Sequence, residues 1–241
     1  MGIPKLGFLS QETSATNGGD TLLARWYERL RDIVLRSPEP ASRAYRYMSR
    51  LIEREFVRRG GDGACLAFSS PDSDKVSTDA LLLLAYCLRS ELDSRVLLMD
   101  ARLKDQAEGI TGRLGLVDSP GFAEILRDGC GGLEDLIQAT SVAGVEVLPA
   151  GDPRGTNSTP MDRKKLRELL DAAKARYDHV LVQVGSPMRD TRALMAAAEA
   201  EAVFLLAEEN RTFVTTLDEC RKVLIDNGVS DVRVVVTGAR P

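Results

Sequence analysis

Histidine is nearly missing from this chain: His179 is the only one among 241 residues. Histidine-rich metal sites are therefore excluded, and a triad built on a histidine base is a poor reading. No apolar run is long enough to cross a bilayer, and no secretory signal is expected at the start. Any membrane association is expected to come through a partner. The four cysteines, Cys65, Cys87, Cys130 and Cys220, have no paired spacing, which argues for reduced thiols in a cytosolic core over disulfides or a zinc site. The net charge of −4 gives no reason to expect nucleic-acid binding. Glycine is also absent from the polar stretch Ser69-Ser70-Pro71-Asp72-Ser73-Asp74-Lys75-Val76-Ser77-Thr78, where a phosphate-binding loop would need it.

What is present is enough apolar sequence, 44%, to build one large core. The first 20 residues are rich in Gly, Ser, Thr and Asn and read as loose. Leu22, Leu23, Trp26, Tyr27, Leu30, Ile33 and Val34 then recur at helical spacing, with arginines on the other side. This stripe either packs on the domain or binds a partner, with Trp26 and Leu30 one turn apart as the anchors. Ser37-Pro38-Glu39-Pro40 ends it, and a second helix is predicted over 41–58. We thus divide the chain into a loose N-terminus plus amphipathic helix, 1–40, and an α/β domain, 41–241.

In that domain short Val/Leu runs alternate with helical patterns. Strands are predicted at 64–68, 95–99, 145–148, 179–184, 202–206 and 232–236. Helices are predicted at 77–91, 121–127, 133–138, 161–176, 191–200 and 212–227. Continuous apolar strands separated by helices imply a doubly wound, mostly parallel sheet covered on both faces. Ligands of such sheets bind beyond the carboxyl ends of the strands. Strand, polar loop and helix from Ala64 to Leu88 is the layout of a P-loop NTPase, but Asp72 and Asp74 stand where a phosphate would sit. A unit charge beside another at 4 Å costs about 4 kcal/mol at an effective dielectric near 20.

The order of further segments resembles one family. Ala44-Tyr45-Arg46 on the helix predicted over 41–58, Ser77-Thr78 closing the loop, Val96 to Ala101, Gly144 to Gly151, and Arg176-Tyr177-Asp178-His179-Val180 follow the pattern of the cytoplasmic domain of bacterial tyrosine autokinases of capsule and exopolysaccharide systems. These are deviant-Walker ATPases related to the division-site and partitioning ATPases. The resemblance covers most of residues 41–238 and implies a P-loop NTPase-like fold.

The departures carry as much information as the matches. Aligned through Ser77-Thr78, the phosphate-binding lysine is Val76, with Lys75 one position away. Of two aspartates expected after the second strand, Asp100 remains and Arg102 replaces the other. The strand that should end in a magnesium-orienting aspartate ends in Gln183. The clustered tyrosine tail of a family kinase has no counterpart, because the five tyrosines are dispersed. In the helix that the family uses for assembly, Arg46 is kept while Arg43 reverses the sign of the acidic position, which puts homo-oligomer formation through this helix in question.

Lys75, Ser77, Thr78, Asp100 and Gln183 are thus read as remnants of a nucleotide site, and Arg46, Trp26 and Leu30 as oligomerisation or partner residues. Each remnant has a plainer reading: Ser77 and Thr78 as N-caps, Asp100 as a strand-end residue bonded to its loop, Lys75 as a surface lysine. The resemblance implies a catalytically degenerate protein, without catalytic residues, metal or cofactor. It would serve exopolysaccharide synthesis and export from the cytoplasm, through a membrane chain-length regulator or co-polymerase. Two alternatives remain: an active tyrosine kinase or ATPase using Mg-ATP in a rebuilt loop, and a partitioning-type positioning protein.

Overall fold

The computed structural model describes residues 39–56, 63–104, 106–128, 133–140, 142–154 and 162–238, without the side chains of 39–42 and 74. Trp26, Leu30 and Cys130 lie outside the described residues. The chain enters through α1, Glu39–Phe56. It starts two residues before the expected boundary, because Pro40 falls in the first turn, where its missing N–H has no intrahelical partner to lose.

Seven strands form one sheet in the order β3-β4-β2-β5-β1-β6-β7. They are β1 Ala64–Ser69, β2 Val96–Asp100, β3 Gln138–Ala139, β4 Val145–Leu148, β5 His179–Gln183, β6 Ala202–Glu208 and β7 Val232–Thr237. All pairings are parallel except β3 with β4. The expected helix over 133–138 is thus shorter, α5 at Leu133–Leu136, and gives way to the antiparallel edge strand β3. The other helices are α2 Asp74–Leu92, α3 Ile110–Arg113, α4 Phe122–Asp128, α6 Arg163–Lys174, α7 Thr191–Ala198 and α8 Val214–Asp226.

Alternation along the buried strands sends successive side chains to opposite faces. Cys65 and Ala67 of β1, with Leu97 and Met99 of β2, join a core under α4, α6, α7 and α8. Leu66 and Phe68, with Val96 and Leu98, join a second core under α1, α2 and α3. α1 is fastened to this second face by Ile52, by Phe56 packed edge-on to Phe204, and by Glu53 at 3.0 Å from His179 Nε2. The lone histidine is thus a structural residue at the amino end of β5, and burial lowers its pKa.

Candidate functional site

The site lies where the parallel strands β2, β5 and β1 end together. Only residues 70–73 join β1 to α2. α2 starts at Asp74 with Ser73 as its N-cap residue, and the Ser73 side chain makes no capping bond. Ser77 and Thr78 are therefore not N-caps. They stand in the first turns of the helix, both fully buried, because the helix begins one turn earlier than the apolar period shows. Val76, at the lysine position, packs against the second core. The Lys75 side chain is exposed.

Gln183, the last residue of β5, is fully buried and faces this turn. Its Nε2 donates to Ser77 Oγ at 2.8 Å and to Thr78 Oγ1 at 2.7 Å. Its Oε1 accepts from the backbone N–H of Ile110 at 2.9 Å. That last contact fixes the amide's orientation, since a backbone N–H can only donate and must face the carbonyl oxygen. Thr78 Oγ1 in turn donates to the carbonyl of Glu108 at 2.8 Å. The polarity is the reverse of a Walker B end: the hydroxyls meet N–H donors, where a carboxylate would offer only acceptors.

Asp100 sits beside Gln183 in the β2–β5 register, and Ala101 N donates to Gln183 O at 2.9 Å. Its Oδ1 accepts from the Arg102 backbone N–H at 3.1 Å and its Oδ2 from Thr111 N at 2.9 Å. Arg102 folds back into the protein, with Nε 3.4 Å from Asp100 Oδ1 and both side chains buried. Burial pushes the Asp100 carboxyl above the ordinary carboxylate range, against the opposing pull of the Arg102 guanidinium. Asp100 is thus bonded to the segments that follow its strand. Glycine at 109 leaves the space that the Arg102 guanidinium occupies: a Cβ there would lie 1.6 Å from Arg102 Nη2.

The segment from Gln106 to Arg113, a 3-10 turn followed by α3, closes over both strand ends. Gln106 Nε2 donates to Gly151 O at 2.8 Å, and Ala150 N donates to Thr111 Oγ1 at 2.8 Å, which ties this segment to the end of β4. The turn after β5 is tied to the short loop as well, through Ser69 Oγ to Gly185 O at 3.0 Å and Ser186 Oγ to Pro71 O at 3.3 Å. Sequence reasoning named Ser77, Thr78, Asp100 and Gln183, and the structure brings them together. It missed Thr111 and the 106–113 closure, whose short turns carry no periodic signal. Lys75 stays outside the cluster. Arg46 pairs with Glu91 of α2 within the chain, at 3.4 Å.

No protein-family model matches the sequence, and no curated protein matches it significantly. Solved structures do. The kinase domain of the Escherichia coli tyrosine kinase ETK superposes with a TM-score of 0.70 at 18% identity, over 88% of this chain and 82% of that one. The VpsO kinase domain gives 0.67 at 23% identity, over 89% and 99%. The septum site-determining protein MinD from Pyrococcus horikoshii, complexed with Mg-ADP, gives 0.54 at 22%, over 70% and 68%. The chain therefore has the P-loop, MinD-like α/β fold. More particularly, it has the version of that fold found in bacterial tyrosine kinase domains.

Proposed function

We propose that the protein is a catalytically silent counterpart of the tyrosine autokinases. It acts as a scaffold or regulator of exopolysaccharide or capsule synthesis and export, at the inner face of the membrane, through a chain-length-regulator or co-polymerase partner. The observation that carries the silence is the Gln183 amide, which occupies the strand end where magnesium handling needs a carboxylate and donates to both Ser77 and Thr78. A neutral N–H donor cannot orient a magnesium-bound water as an acceptor does. Asp100, the carboxylate beside Gln183 in the sheet, has both oxygens engaged by described donors and faces Arg102. The part proposed for it in polymer export rests on its resemblance to the autokinases.

The test is calorimetric titration of the full chain with ATP and magnesium, alongside incubation with radiolabelled ATP. No heat of binding in the physiological range and no phosphotyrosine are expected. A dissociation constant in the low micromolar range would overturn the reading. So would a phosphotyrosine signal abolished by Lys75→Ala, and that result would establish the rebuilt-loop kinase in its place.

A further inference from the structure

Charge is divided unevenly along this chain. Residues 21–60 hold ten arginines against five acidic residues, a net of +5 inside a protein whose total is −4. α1 shows where part of that charge is displayed. With 3.6 residues per turn, Arg43, Arg46, Tyr47, Arg50 and Arg54 fall within an arc of about 100° and, from Arg43 to Arg54, along roughly 16 Å of helix. All five are exposed. Tyr47 in the middle of the row is 66% exposed, and the side chains of Arg46, Arg50 and Arg54 are 58%, 68% and 73% exposed. The opposite side of α1, with Tyr45, Met48, Ile52 and Phe56, is the side held by the core. Glu91 lies 3.4–3.5 Å from Arg46 and Arg50 and offsets one of the four charges. Glu55, next to Arg54, is also held by Arg233.

We infer that the exposed row of α1 docks on an anionic phospholipid surface. A straight row of arginines with an aromatic among them suits a plane of phosphate headgroups. Guanidinium groups bind phosphate through paired N–H donors, and a tyrosine ring lies well at the headgroup level. The positive row on an otherwise negative protein would also set its orientation, with the helices of the other sheet face, α6 and α8, turned away from the bilayer. The contact is independent of whether the Gln183 site binds nucleotide.

The test is sedimentation of the full chain with vesicles of phosphatidylglycerol and phosphatidylcholine, against vesicles of phosphatidylcholine alone. Binding is expected only with the anionic lipid, and it should weaken steeply as salt is raised. The triple variant Arg43→Ala, Arg50→Ala, Arg54→Ala should lower the partition coefficient on the order of a hundredfold. Its melting temperature should stay unchanged. The control triple Lys164→Ala, Arg221→Ala, Lys222→Ala, on the other sheet face, should bind as the parent does. Inorganic phosphate at the same total phosphate concentration should compete poorly, because the row reads a dense surface and not one anion. Absence of binding by the parent chain would overturn the inference and leave an acidic protein segment as the ligand of this row. Equal binding by the α1 triple variant, or efficient competition by free phosphate, would overturn it as well.

Discussion

Asp100 and Gln183 end neighbouring strands in direct register, both are completely buried, and each is closed by the same 106–113 segment. One is a carboxylate and the other its neutral amide counterpart. The carboxylate has to be matched by a buried cation, Arg102, by two backbone N–H groups and by a glycine that makes room for the guanidinium. The amide's described contacts are two hydroxyls and one backbone N–H, all neutral. Burying a charge is costly even when it is paired, whereas a fully bonded amide is close to neutral. The comparison shows one strand end held by a buried ion pair and the other, among the described contacts, by hydrogen bonds between neutral groups.

The largest effect should come from breaking the charged half. Arg102→Ala removes the cation facing Asp100 and leaves a buried carboxylate, for which a loss of about 3–5 kcal/mol is expected. Urea unfolding monitored by circular dichroism measures it. A loss below about 1 kcal/mol would mean that the pair is not buried as described.

Breaking the neutral half should cost less. Gln183→Leu strands the Ile110 N–H and removes the donor to Ser77 and Thr78, with an expected loss of about 1–3 kcal/mol. The double variant Arg102→Ala with Gln183→Leu sharpens the comparison. Because 106–113 closes over both ends, the two losses should fail to add by about 0.5 kcal/mol or more.

Much of this architecture was legible beforehand, and the limits were physical. The buried strands β1, β2, β4, β5 and β6 are apolar runs rich in Val, Leu and Ala, which only a two-sided sheet can bury, whereas β7, at the sheet edge, leaves Val234 and Val236 exposed. The replacement at Gln183 could be read as soon as its strand was aligned. β3 could not, because two residues carry no alternation. The apolar stripe places the start of α2 at Ser77 rather than Asp74, because Ser73, Asp74 and Lys75 add nothing to it. An arginine two residues beyond a strand reads as a surface side chain, and only the space above Gly109 shows that Arg102 turns inward. The bonds from Gln183 to α2 and α3 join residues more than seventy positions apart, which no local spacing reveals.

The charged half should also have its own pH dependence. The folded-state pKa of Asp100 is raised, chiefly by burial, so its charged form works against the fold. Its contribution to stability is therefore fully present below the ordinary carboxylate pKa near 4 and is lost as pH rises through the raised value. Between pH 7 and about pH 4, the urea midpoint of the parent minus that of Asp100→Asn should increase as pH falls. A flat difference would mean that Arg102 and the two N–H donors cancel the burial cost entirely. Gln183 has no titrating counterpart, so Gln183→Leu should leave the shape of the pH profile unchanged.

The smallest effect is expected at the residue that a nucleotide site would prize most. Lys75 lies in the first turn of α2, soon after the end of β1, and its exposed side chain stays outside the network of the β2 and β5 ends. In a working phosphate loop a lysine here would neutralise the β/γ charge, and its loss would abolish activity. In a site closed by Gln183 the same side chain is a solvated cation on a helix. Lys75→Ala should then change stability by no more than about 0.5 kcal/mol in either direction, since alanine is at least as good a helix former. Polymer yield in cells should match that of the parent, while an Arg102→Ala strain should lose protein along with stability. Measuring yield and melting temperature on both variants separates the cases. Loss of polymer in a normally folded Lys75→Ala variant would show that Lys75 works where the network does not reach, and that the chain end of β1 still handles phosphate.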